Sequence, residues 1–199
     1  MTFSLVVSAG TYHFGFDRLM AWTESWLGRH PDVCATVQHG TSRPVSGAVN
    51  RDIIPHPELL DLYRTASVVV LQGGAGGVMD ARELGIVPIV VPRVPVGDEV
   101  VDDHQIVFAH RLQSLGLVHV AESEAALHQL LDQAVAAELP VRPEQPPTLP
   151  GPAAAAAALD ALMASPPPVR RGRLVRRLST RTVWGARRTD PVEEPSGTD

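Results

Sequence analysis

Short apolar runs rich in β-branched residues alternate with longer amphipathic stretches over the first 140 residues of this 199-residue chain. Runs of this kind, bounded by glycine, proline and polar residues, predict buried strands. Five runs fit the description: Phe3–Val7, Val33–Gln38, Val68–Leu71, Ile89–Val91 and Leu117–Val120. Residues 41–52, by contrast, are polar and rich in turn-forming residues, and they predict a loop.

Between the runs, apolar residues recur at the three-to-four-residue spacing of a helix. This spacing predicts helices over Asp17–Leu27, Glu58–Ala66 and Asp103–Leu115, a helical stretch after Gly77, and a last helix from the N-cap Ser123 to about Glu138. In the third of these helices, four residues should face inward: Ile106, Val107, Ala109 and Leu112. Short strands alternating with helices predict an α/β fold, a Rossmann-like parallel sheet with helices on both faces.

Ligands of such folds bind beyond the carboxyl ends of the strands. Three loops are predicted at that edge, namely Gly10–Gly15, Gly73–Gly77 and Arg93–His104. Because the strands are parallel, we expect these loops to be neighbours in space.

The domain organisation follows from composition. Residues 1–139 are predicted to form the sheet domain. Residues 140–152 are a proline-rich linker, since proline excludes both helix interior and inner strand. Residues 153–165 are alanine-rich and predict a helix, and residues 166–199 predict a basic, flexible tail.

Charge is unevenly distributed around a formal net charge of −5. Residues 1–150 contain nine arginines against 17 acidic side chains, whereas residues 170–188 contain eight arginines. The acidic body argues against nucleic acid as a partner. The basic tail is consistent with an anionic membrane surface, a solvated disordered segment or a docking segment for a partner.

A single cysteine, Cys34, excludes an intrachain disulfide and fits a reducing compartment; its apolar surroundings predict a small core residue. No apolar run reaches the roughly 18 residues of a membrane span, and the N-terminus lacks the basic region of a signal peptide. We therefore expect a cytoplasmic protein, or one peripheral at the inner face of the cell membrane.

The candidate chemistry centres on the glycine-rich turn Gly73–Gly77, between an apolar strand and a helix. A helix N-terminus preceded by glycines exposes backbone N–H groups and suits a phosphate. The alternative is an ordinary tight turn of a parallel sheet. The turn is not a dinucleotide fingerprint, because Met79 stands at the third glycine position, and it is not a P-loop, because no Gly-Lys-Ser/Thr follows.

Four segments in order resemble one family: SAGTYHFGFDRLM (8–20), TVQHG (36–40), LQGGAGGVMDARELGIVPIVVPR (71–93) and DEVVDDHQIVFAHRLQSLGLV (98–118). They resemble the C-terminal, donor-binding domain of GT-B glycosyltransferases of the family 28 type, related to the lipid II-forming GlcNAc transferase. The resemblance is greatest to separately encoded subunits. These are the small catalytic subunit of the dolichol-linked GlcNAc transferase and bacterial exopolysaccharide subunits that need a membrane-associated partner.

The resemblance implies a nucleotide-sugar donor, usually a UDP-sugar, and no other cofactor and no metal. It implies that the diphosphate is cradled by backbone N–H groups near the glycines, that Asp80 holds the ribose hydroxyls, and that His104 and Gln105 bind sugar hydroxyls or phosphate. The donor-binding residues carried over are Gly10, Thr11, Gly73, Gly74, Ala75, Gly76, Asp80, His104 and Gln105. No catalytic base is assigned.

Two residues depart from the family pattern. Asp80 stands where a glutamate is usual, and Gln72 stands where relatives often carry a histidine. Alternatively, Asp80 only complements the dipole of the first helical turn, and His104 is a solvated histidine beside Asp103. Asp17 is interpreted as a helix N-cap rather than a base, and His56, between two prolines, as structural.

Two functions remain open, with a third less favoured. The chain is a hexosyltransferase subunit that uses a UDP-sugar with a lipid-linked or polysaccharide acceptor and a membrane-associated partner, or a non-catalytic scaffold that stabilises a partner transferase. The third is a nucleotide-binding oxidoreductase. The missing third glycine of the dinucleotide fingerprint, where Met79 stands, argues against it.

Overall fold

The computed structural model describes residues 2–95, 99–101 and 103–143. These belong to one compact unit, Met1–Leu149, and the chain's second unit is Pro150–Asp199. The predicted helix over 153–165, the basic tail and most of the linker over 140–152 lie outside the described residues.

Six strands and five helices alternate along the described residues. The strands are β1 (Ser4–Ser8), β2 (Cys34–Gln38), β3 (Ala48–Arg51), β4 (Val68–Gln72), β5 (Ile89–Val91) and β6 (His119–Val120). The helices are α1 (Asp17–Leu27), α2 (His56–Thr65), α3 (Ala75–Glu83), α4 (His104–Ser114) and α5 (Glu124–Val135). Ser123 caps α5 as predicted, because its hydroxyl oxygen accepts a hydrogen bond from the Ala126 N–H at 3.2 Å.

The strands form one parallel sheet in the order β3-β2-β1-β4-β5-β6. β2 and β3 lie on one side of β1, and β4, β5 and β6 follow one another on its other side. The order therefore reverses between β1 and β4, and the connections that leave the carboxyl ends of these two strands lead to opposite faces of the sheet, which leaves a crevice between them. The predicted α/β class with a Rossmann-like sheet is confirmed.

Helices cover both faces, as the alternation of side chains along β4 requires. Val68 and Val70 point into one core, which contains α1 and α5, whereas Val69 and Leu71 point into the other. The second core contains apolar residues of α2, α3 and α4. Both faces of β4 are buried, which explains why its sequence is continuously apolar rather than alternating.

Three local predictions were wrong. Residues 41–52 contain a strand, β3, which was missed because it lies at the sheet edge and carries the polar residues of an exposed strand. Cys34 is exposed, since it begins β2 at the amino edge of the sheet, outside the core. Val107 is 49% exposed, while its neighbour Ala109 is fully buried, so the inward face of α4 is narrower than predicted.

No helix among the described residues is long and apolar enough to cross a membrane.

Candidate functional site

A cleft of about 300 Å³ opens at the carboxyl edge of the sheet, where the strand order reverses between β1 and β4. Its walls come from the ends of β1, β2 and β4 and from residues of α2 and α3. The lining residues are Ser8, Gly10, Thr11, Gln38, Ile54, His56, Leu59, Tyr63, Leu71, Gln72, Gly74, Gly76, Gly77 and Asp80. The cleft therefore lies where an open parallel sheet binds its ligands.

The N-terminus of α3 forms one wall of the cleft. Gly74 is its N-cap in an extended conformation, with φ −79° and ψ 138°, and no side chain caps the helix. The first-turn N–H groups have no carbonyl partner within the helix, so this wall offers donors and partial positive charge to an anion. A Cβ at Gly76 would meet nothing within 4 Å, so the space beside these donors is open.

Gly10 brings the β1 and β4 loops into contact. Its φ is +75°, and an added Cβ would lie 2.0 Å from Nε2 of Gln72. Only glycine satisfies both the backbone angle and the close approach. None of Gly73, Gly74, Gly76 and Gly77 has a positive φ. Close approach accounts for glycine at two of them, since an added Cβ would lie 3.0 Å from Gln105 Cβ at Gly73 and 3.1 Å from Gln72 Nε2 at Gly74.

Arg93 holds the three loops of this edge together from inside. Its side chain is 1% exposed and donates five hydrogen bonds. Nε donates to Gln72 Oε1 at 2.7 Å, and the two terminal nitrogens donate to four backbone carbonyls, those of Ala9, Phe14, Gly15 and Glu99, at 2.9–3.1 Å. The predicted proximity of the three loops is confirmed for their described residues, and the Arg93 hydrogen bonds connect them.

Charge around Arg93 is balanced locally. Burial lowers the pKa of its guanidinium, and the Glu99 carboxylate opposes that shift. Arginine nevertheless stays charged at neutral pH. The side-chain oxygen of Gln72 accepts a hydrogen bond from Arg93 Nε and is therefore engaged within the chain.

Gln38, the glutamine of the TVQHG segment, fixes the floor of the cleft. It is 2% exposed; its Nε2 donates to Ser8 Oγ at 3.1 Å, and its Oε1 accepts the Ile54 N–H at 2.9 Å. This side chain links β1 to the segment that leads into α2, so the motif has a positioning role.

Asp80 faces the cleft from the second turn of α3. It lies beyond the first turn, so it does not act as a complement to the helix dipole there. Its Oδ2 lies 3.0 Å from Nε2 of His56, the first residue of α2. The Asp80 side chain is 27% exposed and that of His56 62% exposed, so the pair stands at the mouth of the cleft.

Tyr63 lies beneath this pair. It is fully buried, and its hydroxyl has no hydrogen bond of good geometry among the described residues. Burial raises the pKa of Tyr63 to about 12, the Ser8 hydroxyl lowers it, and the Asp80 charge adds to the rise. The phenol therefore stays protonated under physiological conditions.

The predicted donor-binding residues fall into two groups. Five line the cleft: Gly10, Thr11, Gly74, Gly76 and Asp80. Four do not: Gly73, Ala75, His104 and Gln105. Gln105 packs on Gly73, and its Oε1 accepts the Arg93 N–H at 3.2 Å. Its side-chain oxygen therefore stabilises the start of the loop that follows β5. His104 begins α4 and is exposed.

Sequence reasoning missed or misjudged three residues. His56, interpreted as structural, lines the cleft beside Asp80. Arg93 was named only as the start of a loop, although a charged residue two positions after a buried strand was a usable signal. Asp17 is not an N-cap: Phe16 holds that position, and Asp17 Oδ1 accepts the Arg43 N–H at 2.9 Å. Among the described residues, no cluster of histidine, cysteine and acidic side chains is arranged to hold a metal ion.

Comparison with solved structures defines the class of fold. The chain matches the glycotransferase of kitacinnamycin with a TM-score of 0.52 and 16% identity over 68% of its length. It matches CalG4, the calicheamicin glycosyltransferase, with a TM-score of 0.51 and 18% identity over 81% of its length. The sheet domain therefore has the fold of GT-B glycosyltransferases.

The chain covers 35% and 43% of the length of those two proteins, so it spans less than half of each. No protein-family model matches the chain, and no curated protein sequence matches it.

Proposed function

We propose that this chain is the donor-binding subunit of a glycosyltransferase in cell-envelope or exopolysaccharide assembly. It binds a UDP-sugar and, with a membrane-associated partner subunit, transfers the hexosyl group to a lipid-linked or polysaccharide acceptor. One observation carries the proposal: a glycine-rich helix N-terminus and a carboxylate, Asp80, face the same cleft at the point where the strand order reverses.

The two features suit the two polar parts of a nucleotide diphosphate. The free N–H groups at the start of α3 suit the diphosphate, and Asp80 suits ribose hydroxyls. In the reaction an acceptor hydroxyl attacks the anomeric carbon and the nucleotide diphosphate leaves. Donors fixed at the start of α3 would stabilise the charge that develops on the leaving group. The partner subunit supplies the acceptor-binding surface in this proposal.

Asp80→Ala should weaken UDP binding by about 1.5–3 kcal/mol, roughly 10-fold to 150-fold, because hydrogen bonds from ribose to a charged acceptor are lost. Titration calorimetry with UDP, UDP-sugars, GDP, dTDP and NAD would measure this. Affinity for UDP that does not change in the variant would remove the ribose assignment, and preference for NAD would instead favour an oxidoreductase.

Gly76→Leu should weaken UDP binding at least about 10-fold without loss of stability. The new side chain would enter open cleft space beside the helix N-terminus and exclude the diphosphate, while leucine favours a helix more than glycine does. Ala125→Leu is the matched control, since Ala125 is the exposed second residue of α5, away from the cleft. Equal UDP affinity in both variants would argue against a diphosphate at α3.

A non-catalytic scaffold is the second candidate, and it has its own support. Two polar side chains of the cleft are already engaged within the chain, Gln72 with Arg93 and Asp80 with His56. Under this alternative no nucleotide binds to the chain alone or to the chain with its partner. The partner then transfers sugar unaided, and the chain raises only the partner's yield.

A further inference from the structure

His56 is presented to the cleft by a stiff piece of backbone. It is the first residue of α2, between Pro55, the N-cap, and Pro57. Proline fixes φ and lacks an N–H, and the first turn of a helix tolerates both because its N–H groups have no helical partner. The two prolines therefore restrict the backbone on either side of His56, and its side chain takes no part in this restriction. That side chain is 62% exposed, so core packing does not hold it either.

The contact of the His56 imidazole with Asp80 joins α2 to α3 across the cleft mouth. Nε2 and Oδ2 are 3.0 Å apart. A pair this exposed contributes little to the free energy of unfolding. The hydrogen bond instead restrains the orientation of the Asp80 carboxylate. The imidazole is hydrogen-bonded to Oδ2, and among the described residues Oδ1 has no hydrogen-bond partner.

A carboxylate held in this way binds hydroxyls more tightly than a freely rotating one. An unrestrained aspartate loses rotamer freedom when a ligand binds, and that loss is subtracted from the affinity. With Oδ2 restrained, the orientation of Oδ1 is set before the ligand arrives.

We infer that His56 is a positioning residue for the nucleotide: it orients the Asp80 carboxylate toward ligand hydroxyls. This inference rests on the proposed function. It assigns His56 to recognition of the ribose part of the ligand and not to the diphosphate, which the α3 N-terminus binds. The two parts can therefore be probed separately.

The test compares UDP with inorganic pyrophosphate, which has the two linked phosphates but no ribose. His56→Leu should weaken UDP binding about threefold to tenfold, the effect of one lost hydrogen bond, and leave pyrophosphate binding unchanged. His56→Gln places an amide donor at a similar reach and should restore most of the UDP affinity. In a chain that already carries Asp80→Ala, His56→Leu should cause no further loss.

His110 supplies the matched control. Its Nε2 lies 3.0 Å from Glu122 Oε1, with both side chains about half exposed, in a pair that does not line the cleft. His110→Leu should leave both affinities unchanged. The inference is overturned if His56→Leu binds UDP as the wild type does, weakens pyrophosphate equally, or adds its full effect to Asp80→Ala. If the wild type binds pyrophosphate but not UDP, the ribose part of the proposed function fails and this inference with it.

Discussion

Arg93→Met should lower the free energy of unfolding by about 3–5 kcal/mol. The guanidinium is almost fully buried and satisfies one side-chain oxygen and four backbone carbonyls. Methionine fills much of the volume but donates no hydrogen bond. Buried carbonyls would then lack partners, and each one left without a donor costs free energy. Urea unfolding followed by circular dichroism would measure the loss.

Two variants calibrate the Arg93 result. Arg93→Lys keeps the charge but cannot reproduce the planar fork, so we expect an intermediate loss. Arg64→Met removes an exposed arginine from the end of α2 and should change stability by no more than about 0.5 kcal/mol. An Arg93→Met protein as stable as Arg64→Met would show that the buried network does not stabilise the fold. UDP binding should also weaken in Arg93→Met, because the β1 and β4 loops lose their link.

Trp26→Ala should destabilise the fold by a comparable amount, about 3–5 kcal/mol. The side chain is fully buried in the core that contains α1 and α5, and its ring stacks on His30 with centroids 3.9 Å apart. Its indole N–H donates to Asp132 Oδ1 at 2.7 Å. Because the Asp132 side chain is half exposed, water would replace that bond. The expected loss is therefore mainly one of packing and of the cavity left behind.

Trp22→Ala is the matched comparison, four residues earlier on the same helix. Its ring is only partly buried and lies under the Arg18 guanidinium, 4.6 Å from the ring centroid. We expect less than half of the Trp26 effect, and Trp26→Phe should retain most of the stability. Thermal unfolding of the three variants would rank them; a larger loss for Trp22→Ala would contradict the packing described for α1.

The helices and inner strands were predictable because their signals are local. The bounds predicted for Asp17–Leu27 and Ile89–Val91 are those of α1 and β5, and the other helices differ mainly at their ends. Helical spacing and continuous apolar runs follow from what each segment buries, and both appear within a few residues. β3 was missed for the same reason: an edge strand buries little, so its sequence has no apolar run.

The amino-acid sequence by itself determined the alternation of strands and helices and the edge of the sheet at which the cleft opens. It also predicted a glycine turn after β4, although Gly76 and Gly77 lie in the first turn of α3 and not in that turn. These follow from periodicity, glycine chemistry and the geometry of parallel strands, none of which needs distant contacts. Only the tertiary structure decided which side chains meet there. Arg93 reaches carbonyls more than 75 residues away, and His56 meets Asp80 because α2 packs beside α3. Such pairings depend on how elements pack, and no spacing along the chain encodes them.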